Sequence, residues 1–276
     1  MSIFAMNNEI IMTKVILITG ASGGIGESLA RQLAAKKYNL LLVARSEEKL
    51  HKLCSELSNK NGIITDYIVA DLSQPDGPKK VVAEAGRKDL SVKVLVNNAG
   101  IGSSGEFARN ELQHELAMLQ LNNSSMVALC HMLLPAMIKD GSGSIINIGS
   151  MASFFPSPYM AVYAASKAFV RSFTQALTEE CKPYHVHVLF AAPGLTTSNF
   201  MNTSANDNAW GKTLTEGAPT QTPDQVAAEV IAAWEKKKTS HVSGMQNKIA
   251  MKLTALIPNS VIAAIFARQK RKKISS

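Results

Sequence analysis

Three cysteines in 276 residues leave little room for sulfur chemistry. Cys54, Cys130 and Cys181 are scattered, without metal-ligand or redox spacing, which argues against a disulfide framework, a zinc cluster or a dithiol catalyst. They suit a reduced cytoplasmic compartment, as small buried side chains. Long apolar runs are also missing. No uninterrupted stretch approaches the roughly 20 residues a membrane-spanning helix needs. The segment Met1–Glu9 has neither a basic start nor a long apolar core, so it does not read as a secretory signal, and residues 1–12 read as a lead-in. Acidic residues are absent after Glu235, whereas ten Lys or Arg lie between Lys236 and Ser276. The other 19 basic and 21 acidic residues leave the rest of the chain at −2, so the net +8 belongs to the tail. Nucleic-acid binding is disfavoured, because this charge is confined to one end and lacks interleaved aromatics.

What is present is a globular composition, 46% apolar and 18% charged. Continuous Val/Ile/Leu runs alternate with helical patterns. Strands are expected at 14–19, 38–44, 63–70, 92–96, 144–148, 186–190 and near 241–244. Helices are expected at 24–37, 46–59, 77–87, a long stretch before residue 144, and 162–181. Such runs imply a parallel sheet covered on both faces, a doubly wound α/β fold in one domain over residues 13–244. Residues 245–276 form a basic extension of two helices broken at Pro258.

The first strand runs straight into Thr19-Gly20-Ala21-Ser22-Gly23-Gly24-Ile25-Gly26. Gly20 allows a tight turn, Gly24 lets backbone approach a phosphate, and Gly26 lets helix and sheet pack closely. The helix start then offers free N–H groups and partial positive charge to a pyrophosphate, so the segment reads as a dinucleotide cradle. At the end of the second strand a carboxylate would bond a ribose 2′-hydroxyl. This chain has Ala44-Arg45, which suits a 2′-phosphate and so NADP(H).

Tyr163 and Lys167 lie four residues apart, on one face of the expected helix. A cation held beside a phenol favours the phenolate, so Lys167 is expected to bring the Tyr163 pKa down towards the working range. His114, His131, His185 and His187 have no acid at a suggestive spacing, and no metal site is expected.

With these residues, the chain resembles the short-chain dehydrogenase/reductase family. The resemblance rests on the glycine cluster, Val69-Ala70-Asp71-Leu72, Asn97-Asn98-Ala99-Gly100, Asn122, Ser150, Tyr163-x-x-x-Lys167 and Pro193-Gly194, all in that order. It implies a Rossmann-like fold and an oxidoreductase that moves a hydride between NADP(H) and a carbonyl or alcohol. Tyr163 would be the general acid/base, Lys167 would tune it and bond the nicotinamide ribose, Ser150 would hold the substrate oxygen, and Asn122 would hold a relay water. Asn123 lies next door, but the family pattern places the asparagine just after an apolar residue, here Leu121, which favours Asn122. Asp71 and Leu72 would border the adenine. Asn98, Ala99 and Gly100 would line the ribose and steady the central strand, with Pro193 and Gly194 the nicotinamide floor. The family's usual Pro-Gly-x-Val-x-Thr is altered here, so Thr196, Thr197 and Ser198 all compete for the carboxamide. The resemblance also implies a homodimer or homotetramer.

The expected substrate wall combines Met151, Phe154, Phe155, Tyr159 and Met160 with Phe200, Met201 and Trp210, and points to a hydrophobic ketone, aldehyde or 3-oxoacyl group. The alternatives are a reductase of carrier-linked acyl chains and a non-catalytic dinucleotide-binding regulator. In the tail, Ile249, Leu253 and Leu256 are expected on one face, and Ile262, Ile265 and Phe266 on another. Four readings of this tail stay open: packing on its own fold, lying on an anionic membrane, binding an acidic carrier protein, or covering a subunit groove with a solvated charged end.

Overall fold

The computed structural model describes residues 12–197, 220–254 and 256–274. Seven strands form one parallel sheet in the order β3-β2-β1-β4-β5-β6-β7. They are β1 (Thr13–Thr19), β2 (Leu40–Ala44), β3 (Thr65–Val69), β4 (Leu90–Asn97), β5 (Gly143–Ile148), β6 (Val186–Ala192) and β7 (Ser240–Val242). The helices are α1 (Gly24–Ala35), α2 (Glu47–Asn61), α3 (Gly77–Arg87), α4 (Leu112–Leu119), α5 (Ser125–Lys139), α6 (Ala161–Cys181), α7 (Pro223–Glu235), α8 (Met245–Thr254) and α9 (Asn259–Ile274).

The strands read as continuous apolar runs because both faces are covered. In β1, Ile16 and Ile18 join one core with Leu29 and Leu33 of α1, Leu50 of α2, and Val226 and Val230 of α7. Val15 and Leu17 point the other way, into a core with Val81 of α3, Leu129 and Leu133 of α5, and Val170 and Leu177 of α6. Alternate side chains of a strand face opposite sides, so every second residue feeds each core. The strand order reverses between β1 and β4, and the crevice beyond their C-terminal ends is where such sheets bind ligands.

The doubly wound fold expected from sequence is the fold observed. Three local readings change. The helix α7 was not expected. Its start is nevertheless marked in the sequence, because Thr222 accepts from the Gln225 N–H while the Gln225 side chain accepts from Thr222 N, a reciprocal cap ahead of Pro223. The long stretch before β5 is α4 and α5 joined by a π-helical turn, Gln120–Ser124. Leu112–Lys139 is, among the described residues, one helix long and apolar enough to cross a membrane by length and composition. It spans sheet rather than stands apart: Met126, Leu129, Leu133 and Met137 are buried in the second core. In the tail, Ile262 and Ile265 do not share a face, since Ile262 is buried and Ile265 is 47% exposed.

Candidate active site

The turn after β1 is built for close approach. Gly20 and Gly24 both adopt left-handed backbone, at φ 65° and 56°. At Gly26 a Cβ would come within 2.3 Å of the Gly20 carbonyl oxygen, so only hydrogen fits where α1 leaves the turn. No side chain caps α1, and its first N–H groups, including those of Gly24, Ile25 and Gly26, remain open to an anion. Ala21 N donates to Val43 O at 3.2 Å, tying this turn to the end of β2. Just beyond that end Arg45 is exposed and, among the described residues, makes no ion pair. A glycine cradle, an uncapped helix start and an unpaired guanidinium fit a phosphorylated dinucleotide.

The neighbouring strand ends are clamped to this turn. Asn98 Nδ2 donates to Thr19 O at 2.9 Å, and the N–H groups of Asn98 and Ala99 donate to Thr19 Oγ1 at 3.0 and 2.9 Å. Asn98 thus joins β1 to β4. Asp71 Oδ1 accepts from both the N–H and the hydroxyl of Ser73, and Leu72 is buried. Gly100 lies against Asn122 and Lys167: a Cβ there would meet Asn122 Oδ1 at 3.0 Å and Lys167 Nζ at 3.5 Å.

Tyr163 and Lys167 lie on the first turns of α6 and are both buried. Lys167 Nζ donates to Ile148 O, at the end of β5, at 3.0 Å. Burial alone brings its pKa down to about 8. Ser150 follows β5, and its hydroxyl accepts from Ala152 N at 3.2 Å. The Tyr163 phenol has Ser150 as a polar neighbour. Burial raises the phenol's pKa and Ser150 opposes this. The expected lowering by Lys167 is therefore not found in this arrangement; the desolvated site penalises the phenolate more than its neighbours favour it.

The two neighbouring asparagines pack differently. Asn122 sits buried in the π-helical turn, where its Oδ1 accepts from Ile101 N at 3.0 Å and its Nδ2 donates to Ile101 O and to Ser166 Oγ. Asn123 turns aside and donates to Ser166 O at 2.8 Å. A cavity of about 10 Å³, room for one water, is lined by Thr19, Ala99, Leu121, Asn122 and Lys167.

Pro193 and Gly194 follow β6, and Met151 N donates to Pro193 O at 2.9 Å, joining the Ser150 turn to this loop. Thr196 Oγ1 donates to Gly194 O and Thr197 Oγ1 to Gln221 O, so both hydroxyls meet backbone here. Ser198 and the expected wall residues Phe200, Met201 and Trp210 lie outside the described residues. The other half of that wall is divided. Phe154 packs against Phe190 of the core, with the Arg171 guanidinium 4.5 Å from its ring centre, and Met151 also packs on the core. Phe155 instead meets Phe266 of α9, at 5.3 Å between rings.

One group escaped the sequence reading. Glu229, on α7, accepts from Gln221 Nε2 at 2.8 Å, from Gly244 N, and from His241 across 3.0 Å. Gln221 in turn pairs with Leu195 and Thr197 through its backbone. Burial acts upward on Glu229, but the bonds from Gly244, Gln221 and His241 outweigh it, and the carboxyl lies below its ordinary range. Glu229 thus holds the loop after Pro193 to the root of the tail. Partners so far apart in sequence leave no spacing signal. Among the described residues no cluster of side chains could hold a metal.

Residues 14–209 match the family model described as short chain dehydrogenase. The chain is 31% identical over 270 residues to Dehydrogenase/reductase SDR family member 7B of Xenopus laevis, covering 94% of this chain and 82% of that protein. It is 38% identical over 181 residues to a Very-long-chain 3-oxoacyl-CoA reductase of Phaeosphaeria nodorum, covering 62% of this chain and 52% of that one. Its fold is similar to that of a short-chain dehydrogenase from Sphingobium yanoikuyae in complex with NADPH, with a TM-score of 0.79, 28% identity, and coverage of 89% and 92% of the two chains. With the glycine cradle, Ser150, Tyr163 and Lys167 at the ends of a doubly wound sheet, the match places the chain in the short-chain dehydrogenase family, as an oxidoreductase that exchanges a hydride between a nicotinamide dinucleotide and a carbonyl or alcohol.

Proposed function

We propose that the chain reduces the carbonyl of a hydrophobic aldehyde or ketone with NADPH. The observation that carries this reading is the buried Tyr163 phenol, next to Ser150 and with Lys167 one turn further along α6. Arg45, unpaired beside the cradle, supports the choice of NADP(H) over NAD(H), because a guanidinium can pair with a 2′-phosphate. When bound, the cofactor supplies the hydride.

The protein's side chains handle the proton. A raised phenol pKa keeps Tyr163 neutral at pH 7, the form needed to donate a proton to a carbonyl oxygen. Ser150 donates to the same oxygen as negative charge develops on it. Lys167, titrating near 8, exchanges its proton with water more readily than an ordinary lysine and can restore the Tyr163 proton. A water in the small cavity between Lys167 and Asn122 would connect this lysine to solvent. Asn122 is held by Ile101 and Ser166, so its part is to fix that route. Asp71, Leu72, Asn98, Ala99, Gly100, Pro193 and Gly194 would border the dinucleotide, with one hydroxyl of Thr196, Thr197 or Ser198 at the carboxamide.

A second reading, reduction of carrier-linked 3-oxoacyl chains, draws on the similarity to an oxoacyl-CoA reductase. Activity on carrier-linked but not free substrates would favour it. A homo-oligomer in a reducing cytoplasm fits the three buried free thiols, with the basic tail as a further contact surface.

The test is a panel of apolar aldehydes and ketones, followed by loss of NADPH absorbance. At least one should be reduced, and faster with NADPH than with NADH. No turnover on free or carrier-linked carbonyls would contradict the reading.

A further inference from the structure

The two tail helices each have an inner and an outer face of opposite character. On α8, Asn247 donates to Ser243 O at 2.7 Å and its side-chain nitrogen lies 2.1 Å from where a Cβ on Gly194 would stand, while Met251 packs on the core. On α9, Ile262 is buried, Phe266 meets Phe155, and Lys270 Nζ donates to Pro158 O at 2.7 Å. The inner faces therefore rest on Gly194 and on residues 155–158, the segment between Ser150 and Tyr163.

The outer faces are apolar and exposed. Met245, Ile249 and Leu253, four residues apart along α8, are 69%, 53% and 59% exposed. Leu256 follows at 84%, and Val261 and Ile265 repeat the pattern on α9. Cations surround this surface, with Lys252, Arg268 and Arg271 exposed. Residues 245–276 hold seven Lys or Arg and no Asp or Glu. An apolar stripe of this size left in water marks a contact surface.

The charge selects the occupant. A second copy docked here about a two-fold axis would set this cationic surface against itself. An anionic bilayer meets both demands, since acyl chains take the apolar stripe and head groups take the lysines and arginines. We propose that α8 and α9 seat the protein on an anionic bilayer, with the segment 155–158 beside it, so that the carbonyl substrate is drawn from the lipid phase. The docking stands by itself; the lipid-borne substrate rests on the reductase reading above.

The experiment uses the full chain and phosphatidylcholine vesicles with or without phosphatidylglycerol. An environment-sensitive dye is placed on Leu253→Cys, or on Lys52→Cys of α2, exposed and at the opposite edge of the sheet; the native thiols are buried. With anionic vesicles the dye at 253 should shift to the blue and the dye at 52 should not. Equal shifts, or none, would overturn the docking. The double substitution Ile249→Glu, Leu253→Glu should weaken vesicle binding roughly tenfold, and high salt should weaken that of the unaltered chain. If the pair instead dissociates an oligomer and leaves vesicle binding unchanged, the face joins two copies and the proposal fails. Turnover of hexanal in solution and of hexadecanal in vesicles then reads the second half. The doubly substituted chain should keep hexanal turnover within about twofold and lose roughly tenfold on hexadecanal. Equal loss on both would overturn the lipid-phase route. An unaltered chain that docks but reduces neither aldehyde would count against the reductase reading and leave the docking intact.

Discussion

Two lysines in two regions of the molecule, Lys167 buried and Lys270 half-buried, share nearly the same local chemistry. Lys167 donates to Ile148 O at the end of β5, and Lys270 donates to Pro158 O beneath α9. Burial brings each down to about 8. Their company differs. Lys167 stands on the helix face that carries Tyr163, against Gly100 and Asn122. Lys270 stands on the inner face of a helix whose outer face is open, and it fastens the tail to a loop. A lowered pKa therefore reports desolvation at both places, and only the neighbouring phenol and hydroxyl make one of them a candidate for chemistry.

Several substitutions sharpen that contrast, and the largest effect belongs to the sheet end. Lys167→Met should lower kcat by roughly 10²–10⁴, the usual range for loss of general acid/base support, measured by NADPH consumption. Arg45→Ala should lower the preference for NADPH over NADH by roughly 10–100-fold, as expected when a charge-assisted contact to a 2′-phosphate is lost. Equal use of both cofactors by the unaltered chain would remove the basis for that expectation. Glu229→Gln should raise the KM for NADPH by roughly threefold to tenfold with a smaller change in kcat, because it loosens the loop after Pro193 without touching the phenol. Lys270→Met should change kcat on a soluble aldehyde by less than about twofold. An effect as large as that of Lys167→Met would erase the distinction between the two lysines.

Stability against pH should treat the two lysines alike. Each titrates at about 8 in the folded chain against an ordinary value of 10.5, so between those values the unfolded chain holds more protons. The contribution of each lysine to stability thus rises with pH across that window, as the desolvated ammonium is relieved of its charge. Below pH 8 the penalty is fully present. Thermal melts at pH 8 and pH 10 should show that Lys167→Met and Lys270→Met each flatten this rise, although only the first strongly slows turnover.

The same contrast explains what the sequence disclosed. The sheet end was legible because its chemistry depends on short spacings: a glycine cluster after an apolar run, and a tyrosine four residues before a lysine. Asn122 was preferred over Asn123 for the apolar residue before it; what the sequence did not show is the π-helical turn that points Asn122 at Ile101 and sends Asn123 to the backbone of Ser166. Glu229 was invisible because its partners, Gln221, His241 and Gly244, meet it only through the fold. The tail helices were expected, and Ile249, Leu253 and Leu256 do share an exposed face, but the face of the second helix was assigned incorrectly. Ile262 and Phe266 turn inward and Ile265 outward because Phe155 and Pro158 offer a surface on one side only. The direction of the Tyr163 shift was misjudged for a related reason: residue spacing reveals a nearby cation but not the depth of burial.

The most direct test of the account is Tyr163→Phe, assayed for two properties at once. Fluorescence titration should give NADPH affinity within about threefold of the unaltered chain, while single-turnover reduction of an accepted aldehyde should slow by at least roughly 10²-fold. A variant that binds NADPH normally and still reduces the aldehyde at a comparable rate would show that the proton comes from elsewhere.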